Sequence, residues 1–147
     1  DTSRIYVPIG GGGLLSAICA AAESSSTEIE VLGVEAEQAP AFARSFQAGR
    51  PVAIAEMDTI ADALTINEPD GEVFDYVASR TSRIVTVSEE EIVNAMRSLF
   101  DEFRVIAEPG GAASLAAMVK SDDGKNAAAI ISGGNVSLDE FLQITGS

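Results

Sequence analysis

Four consecutive glycines, Gly10–Gly13, stand between an apolar run, Arg4–Ile9, and a run of small and apolar residues, Leu14–Glu23. A buried strand, a loop and a helix are the elements this pattern predicts. A tight strand-to-helix turn needs one or two glycines. Four leave a stretch of main chain with no side chain to block a close approach. The helix N-terminus that follows adds partial positive charge and free N–H groups. The pattern therefore predicts a backbone cradle for an anion such as a phosphate group, built without any lysine; the alternative is a tight turn with no ligand. The stretch is not a dinucleotide fingerprint, because no third glycine follows at the required spacing, and it lacks the Lys-Ser/Thr ending of a P-loop.

Downstream, strand and helix patterns keep alternating. Glu30–Glu35 and Arg83–Val87 read as strands, and so does Ala127–Ile131. Helices are predicted over Ala39–Ala48, stopped by Gly49 and Pro51, over Glu72–Ser79 after the turn signal Glu68-Pro69-Asp70-Gly71, and over Ala112–Lys120. The strongest helix begins after Ser88. Ser88 and Glu91 have capping-box spacing, and three glutamates in the first turn suit the positive end of the helix dipole. Ile92, Met96, Leu99 and Phe103 follow at helical spacing and predict one apolar face. Ser137 and Glu140 repeat the capping-box spacing before a terminal helix through about Leu142. Residues Pro51–Asn67 carry no clear period and are expected to form a long loop near a site; Ser121–Gly124 is expected to be a surface turn. Strands joined by helices imply βαβ units. The expected fold class is α/β: a three-layer αβα arrangement around a mostly parallel sheet of about four strands.

Length and composition bound the function. The chain has 147 residues, of which 46% are apolar and 22% charged, which suits one globular domain with a substantial core. Nine basic against 23 acidic residues give a net charge of −14, which argues against a nucleic-acid partner and against an anionic membrane surface. No apolar run approaches the length a membrane helix needs. The chain has no histidine, so it offers neither a histidine-based triad nor a histidine metal ligand. Its lone cysteine, Cys19, cannot form an intrachain disulfide, and a reducing compartment, the cytoplasm, is the expected location.

Two more stretches carry chemistry. Ser132-Gly133-Gly134-Asn135 follows a strand, at the end where open α/β sheets bind ligands. A hydroxyl flanked by glycines can reach one polar atom of a bound ring; alternatively the stretch is a turn before the last helix. Glu108-Pro109-Gly110-Gly111 opens a small-residue helix and resembles a site-lining loop, or else a helix entry with a solvated Glu108.

Six ordered stretches together resemble one family: Val7-Pro8-Ile9-Gly10-Gly11-Gly12-Gly13-Leu14, Gly33-Val34-Glu35, Thr59-Ile60-Ala61-Asp62, Val85–Ile92, Glu108-Pro109 and Ile131-Ser132-Gly133-Gly134-Asn135-Val136. The chain resembles the threonine dehydratase (threonine ammonia-lyase) and serine racemase family of fold-type II pyridoxal-phosphate enzymes, whose fold is that of the tryptophan synthase β subunit. The resemblance implies a β-eliminating ammonia-lyase that turns L-threonine or L-serine into a 2-oxo acid and ammonia, with pyridoxal 5'-phosphate as cofactor and a small amino acid as substrate. A racemase on the same scaffold, or a non-catalytic module that binds a phosphate ligand, are the other readings.

Residue by residue, the resemblance assigns the cofactor phosphate to Gly10, Gly11, Gly12, Gly13 and the backbone of Leu14, the pyridine nitrogen to Ser132, and a place near the cofactor to Glu108. Some members bind a divalent cation through positions matching Glu35, the carbonyl of Ala39, and an acid at residue 41. Ala41 supplies no carboxylate, and Glu35 as a capping or solvated residue is the other reading. Ala63 replaces a usual glycine, and Ser137 a usual aspartate. The family's Schiff-base lysine has no counterpart. The only lysines, Lys120 and Lys125, flank the Ser121–Gly124 turn and read as solvated helix-end cations, so no catalytic residue is assigned in this chain. The expectation is a single domain over residues 1–147 forming the C-terminal part of a longer catalytic domain. Association with a lysine-bearing N-terminal half, or with a second copy, is expected to cover an apolar edge.

Overall fold

The computed structural model describes residues 2–121 and 126–146. Four strands, β1 (Arg4–Pro8), β2 (Glu30–Ala36), β3 (Ile84–Val87) and β4 (Ala127–Ala129), form one parallel sheet in the order β3-β2-β1-β4. The first three strands are laid down stepwise in one direction, and β4 then crosses back to pair on the free side of β1. The sheet reverses its winding between β1 and β4. Such a reversal leaves a crevice at the carboxyl ends of the two strands, because their connections run to opposite faces.

Among the described residues six α-helices cover the sheet: α1 (Gly13–Glu23), α2 (Ala41–Ala48), α3 (Gly71–Ala78), α4 (Glu89–Phe103), α5 (Pro109–Ser121) and α6 (Leu138–Thr145). Alternation along the strands divides the core in two. Val7, Ile9 and Val31 face Leu15 and Cys19 of α1, Phe42 of α2 and Phe74 and Val77 of α3. Tyr6, Leu32, Val34 and Ala36 face Ile92 and Met96 of α4, the alanines of α5 and Phe141 of α6. A two-residue period places these side chains on opposite faces, so the expected three-layer αβα class is the observed one.

Capping explains the start of α4. Ser88 Oγ accepts the Glu91 N–H at 3.2 Å, and Glu91 Oε2 accepts the Ser88 N–H at 2.8 Å, so both halves of the box are made. At α6 only the serine half forms: Ser137 Oγ accepts the Glu140 N–H at 3.2 Å. Several expected boundaries move, and helix α2 begins at Ala41 rather than Ala39. Helix α5 begins at Pro109 rather than Ala112, because proline fits the first helical turn and the Ala112 N–H already bonds the Glu108 carbonyl at 3.0 Å. Helix α6 runs on to Thr145. Strand β4 ends at Ala129 rather than Ile131, although the Ile130 N–H still reaches the Tyr6 carbonyl at 3.0 Å.

Phe103 does not join the apolar face of α4; it is 65% exposed. It is the last residue of the helix, followed by Arg104 at φ 57, and the chain turns away before another element can cover it. Lys120 is not simply solvated. Its ammonium bonds Glu91 Oε2 at 3.0 Å, the Thr86 carbonyl at 3.1 Å and Glu37 Oε1 at 3.4 Å. Lys125 and most of the expected Ser121–Gly124 turn lie outside the described residues. No helix among the described residues is long and apolar enough to cross a membrane.

Candidate functional site

The two glycine-rich loops leave the crevice strands at the same end. Register pairs Arg4 with Ala127 and Tyr6 with Ala129, so the residues after Pro8 and after Ile130 emerge side by side. Gly10–Gly13 follow β1 and Ser132–Asn135 follow β4; the topology puts at one end of the sheet the two motifs that stand farthest apart in the sequence.

Gly12 is the N-cap of α1, with φ 91, a conformation that glycine adopts without strain. A Cβ there would meet Val73 Cγ1 at 2.5 Å and Phe42 Cζ at 3.1 Å, so the loop lies directly on α3 and α2. Gly10 is seated on the short helical turn Asp62–Leu64, where a Cβ would lie 3.0 Å from the Ala63 carbonyl. Gly11 and Gly13 differ: a Cβ on either would meet nothing within 4 Å. One side of the loop is thus packed and the other open. Helix α1 has no side-chain cap and no acidic residue in its first turn. Its first N–H groups are therefore available to an outside acceptor. Neutral donors, an open face and a helix N-terminus suit a phosphate group, even in a chain as acidic as this one. Leu14, the second residue of α1, is 41% exposed at the rim.

Glu108 and Ser132 occupy two interlocked loops. The Glu108 N–H bonds the Gly133 carbonyl at 3.1 Å, and its carboxylate Oε2 accepts the Asn135 N–H at 2.8 Å. A Cβ on Gly133 would fall 2.2 Å from Glu108 Oε1, and one on Gly111 would fall 2.4 Å from the Gly133 carbonyl. The glycines of both motifs are thus required by close approach. Glu108 braces the loop that presents the exposed Ser132 hydroxyl. A cavity of about 420 Å³ adjoins this brace, lined by Ile60, Asp62, Ala63, Glu108, Asn135 and Val136 among others. It lies on the Glu108 side and includes neither Gly10–Gly13 nor Ser132 in its lining.

The residues around Pro51–Asn67 contribute more than their sequence suggests. Thr59 Oγ1 donates to Glu89 Oε1 at 2.6 Å, and the Ile60 N–H donates to Glu89 Oε2 at 2.9 Å. Glu89 thereby ties the loop to the start of α4 and holds the Asp62–Leu64 turn between Gly10 and Gly110. A Cβ on Gly110 would stand 3.4 Å from Ala63 Cβ. The sequence does not mark Glu89, Phe42 or Val73 as site-building residues; a carboxylate in a first helical turn and two apolar residues on helix faces have sufficient roles without a ligand.

The donor set expected for a divalent cation does not fit one. Glu35 is buried at 1% exposure, and its Oε1 and Oε2 accept the N–H groups of Phe42 and Ala43, both at 2.8 Å. The Ala39 carbonyl accepts the Ala41 N–H at 3.1 Å, and Ala41 has no carboxylate. Among the described residues no group of three or more His, Cys, Asp or Glu is placed to hold a metal ion. Glu35 acts as a cap for α2. Burial outweighs its two backbone bonds and pushes the carboxyl up to about 7.

Residues 1–133 match the family described as "Pyridoxal-phosphate dependent enzyme". The L-threonine ammonia-lyase of Thermotoga maritima is 36% identical over 146 residues, which cover 98% of this chain and 36% of that protein. A solved threonine deaminase from T.th. superposes with a TM-score of 0.88 at 35% identity, over 94% of this chain and 50% of that one. The serine racemase of Dictyostelium discoideum does so with a TM-score of 0.82 at 34% identity, over 94% of this chain and 45% of that one. The chain thus spans between about a third and a half of the length of these relatives.

Proposed function

The chain belongs to the pyridoxal-phosphate-dependent enzyme family, and from that premise we propose that it serves an ammonia-lyase acting on L-threonine or L-serine. The product would be a 2-oxo acid and ammonia, formed by β-elimination of the hydroxyl group. The observation that supports this reading is that the loops Gly10–Gly13 and Ser132–Asn135 leave the same end of the adjacent strands β1 and β4, at the winding reversal. Threonine and serine names among the relatives support the substrate class.

In this reading the cofactor, when bound, supplies an electron sink conjugated to the substrate's α-carbon. The main-chain N–H groups of Gly10–Gly13 and Leu14 hold its phosphate. Gly12 sets the direction of those groups through its left-handed backbone, and the N-terminus of α1 adds favourable potential. The Ser132 hydroxyl holds the ring nitrogen. A neutral hydroxyl does not keep that nitrogen protonated as a carboxylate would, which moderates the sink and suits loss of a β-hydroxyl. Glu108 fixes the loop that carries Ser132, through the Asn135 N–H. Lys120 takes no part: its ammonium is engaged at Thr86 of β3, and β2 separates β3 from β1. The lysine that anchors the cofactor covalently is assigned to a segment outside these residues. The reading includes a cytoplasmic setting, supported by Cys19 being a buried free thiol, and association with that segment or with a second copy.

Incubation of the protein with pyridoxal phosphate and L-threonine or L-serine tests this. The 147 residues alone should release no 2-oxo acid, and the chain combined with a lysine-bearing segment should release 2-oxobutyrate or pyruvate. Accumulation of D-serine without pyruvate in the completed enzyme would replace the lyase reading with a racemase. Failure of the completed enzyme to act on either amino acid would remove both.

A further inference from the structure

Glu35 is a deeply buried carboxylate that the chemistry above does not use. Its sequence context suggests a cation ligand, yet every other donor expected around such a cation is engaged or absent, as described. What Glu35 does hold is the first turn of α2. The N-cap of that helix is Pro40, which has no side-chain acceptor, and its first turn has no acidic residue. Two N–H groups that would otherwise lack partners are satisfied by the two oxygens of Glu35. One of them belongs to Phe42. That ring is fully buried, and its Cζ lies beneath Gly12, 3.1 Å from where a Cβ would stand. One hydrogen bond and one ring contact therefore connect Glu35 through Phe42 to the residue whose left-handed backbone aims the cradle.

We propose that Glu35 is a positioning residue for the anion cradle, acting through α2 and Phe42 where related chains would use a divalent cation, so that anion binding in this protein is independent of cations. The inference rests on reading Gly10–Gly13 as a phosphate site. A buried carboxyl group whose two oxygens each accept an N–H at 2.8 Å anchors the helix start and needs no exchangeable ion.

Isothermal titration with pyridoxal phosphate and with inorganic phosphate tests it, on the wild-type protein, Glu35→Gln, Glu35→Ala and Ser45→Ala, each in EDTA and in excess calcium or magnesium. Wild-type affinity should be the same with and without cation. Glu35→Ala should bind about tenfold more weakly, as leaving two buried N–H groups without acceptors predicts, and added cation should not restore it. Glu35→Gln keeps one acceptor and should fall between; it carries the comparison if the alanine variant does not fold. Ser45 is buried in the same helix and bonds the Ala41 carbonyl and the Val52 N–H. Its alanine variant should lower the unfolding midpoint yet leave affinity unchanged below that midpoint. A cation requirement in the wild type, an unchanged affinity in both Glu35 variants, or an equal loss in Ser45→Ala would overturn the proposal. If the wild type takes up neither probe, the phosphate reading itself falls and the proposal with it.

Discussion

Gly12 and Gly11 make opposite demands on a methyl group. At Gly12 the backbone sits at φ 91 and a Cβ would press on Val73 at 2.5 Å. Gly12→Ala should therefore destabilise the fold by about 2 kcal/mol, from left-handed strain and overpacking, with cofactor binding lost as well; urea denaturation measures the first and titration the second. Gly11→Ala meets no neighbour within 4 Å. Its stability should stay within about 0.5 kcal/mol of the wild type, while its methyl enters the open face and weakens phosphate affinity. Equal destabilisation by the two substitutions would contradict a cradle packed on one side only. Gly133→Ala, aimed at Glu108, should disorder the Ser132 loop and spare phosphate binding. At this scale the sequence is informative because glycine is chemically distinctive: the run of four and the tandem pairs at 110–111 and 133–134 all sit at close approaches or in the cradle. Phe42 and Val73 are not legible as cradle walls, because nothing in an apolar helical residue tells which neighbour lies beneath it.

Helices carry their own signals at their starts, and these are more legible than their ends. The Ser88–Glu91 spacing yields two reciprocal bonds, and Ser88→Ala should lower stability by about 1 kcal/mol, seen as a shift in urea midpoint. The end of α4 depends on what packs beyond it, which is why Phe103 has the spacing of a core residue and yet stands exposed. Likewise the sequence around Pro109 reads as a loop, although proline at the first helical position and a glycine pair that lets α5 approach the Gly133 carbonyl are both compatible with helix. The contact between Lys120 and Glu91 joins α5 to α4 and has a pH signature. Burial acts to raise the Glu91 pKa, but the Ser88 N–H and the Lys120 ammonium outweigh it and leave the carboxyl below its ordinary value. The hydrogen bond that Lys120 donates to Glu91 holds the ammonium above its ordinary value, against some desolvation. The pair's contribution is therefore complete between these limits. It is lost as pH falls below about 4.5 through the lowered Glu91 value, and again as pH rises past 10.5 through the raised Lys120 value. Lys120→Met should flatten both flanks of the stability–pH curve; a variant curve parallel to the wild type would show that the pair contributes nothing.

Across the whole molecule, the order β3-β2-β1-β4 does what no single motif can. Residues 10–13 and 132 are distant in sequence, and their loops leave the same end of adjacent strands only because β4 returns to the free side of β1. Alternating strand and helix patterns make the parallel three-layer class legible, since that alternation admits few other packings. Strand order is not legible, because a four-residue and a three-residue strand carry too little pattern to choose their partners. Both of these short strands are sheet edges, and Phe103, Val119 and Leu138 stand more than half exposed. Static light scattering on the 147-residue chain should accordingly report association, and a monodisperse monomer at high concentration would contradict it. The proposed function depends most on main-chain N–H groups at the start of α1 holding a phosphate, at the same end of the sheet as the hydroxyl presented after β4. Amide chemical shifts recorded during titration with pyridoxal phosphate test this most directly. The largest changes should fall on Gly10–Leu14, with a second group on Ser132–Asn135. Shifts gathered instead around Cys19, Glu23 and Arg80, at the cavity those residues line, with residues 10–14 unmoved, would contradict it.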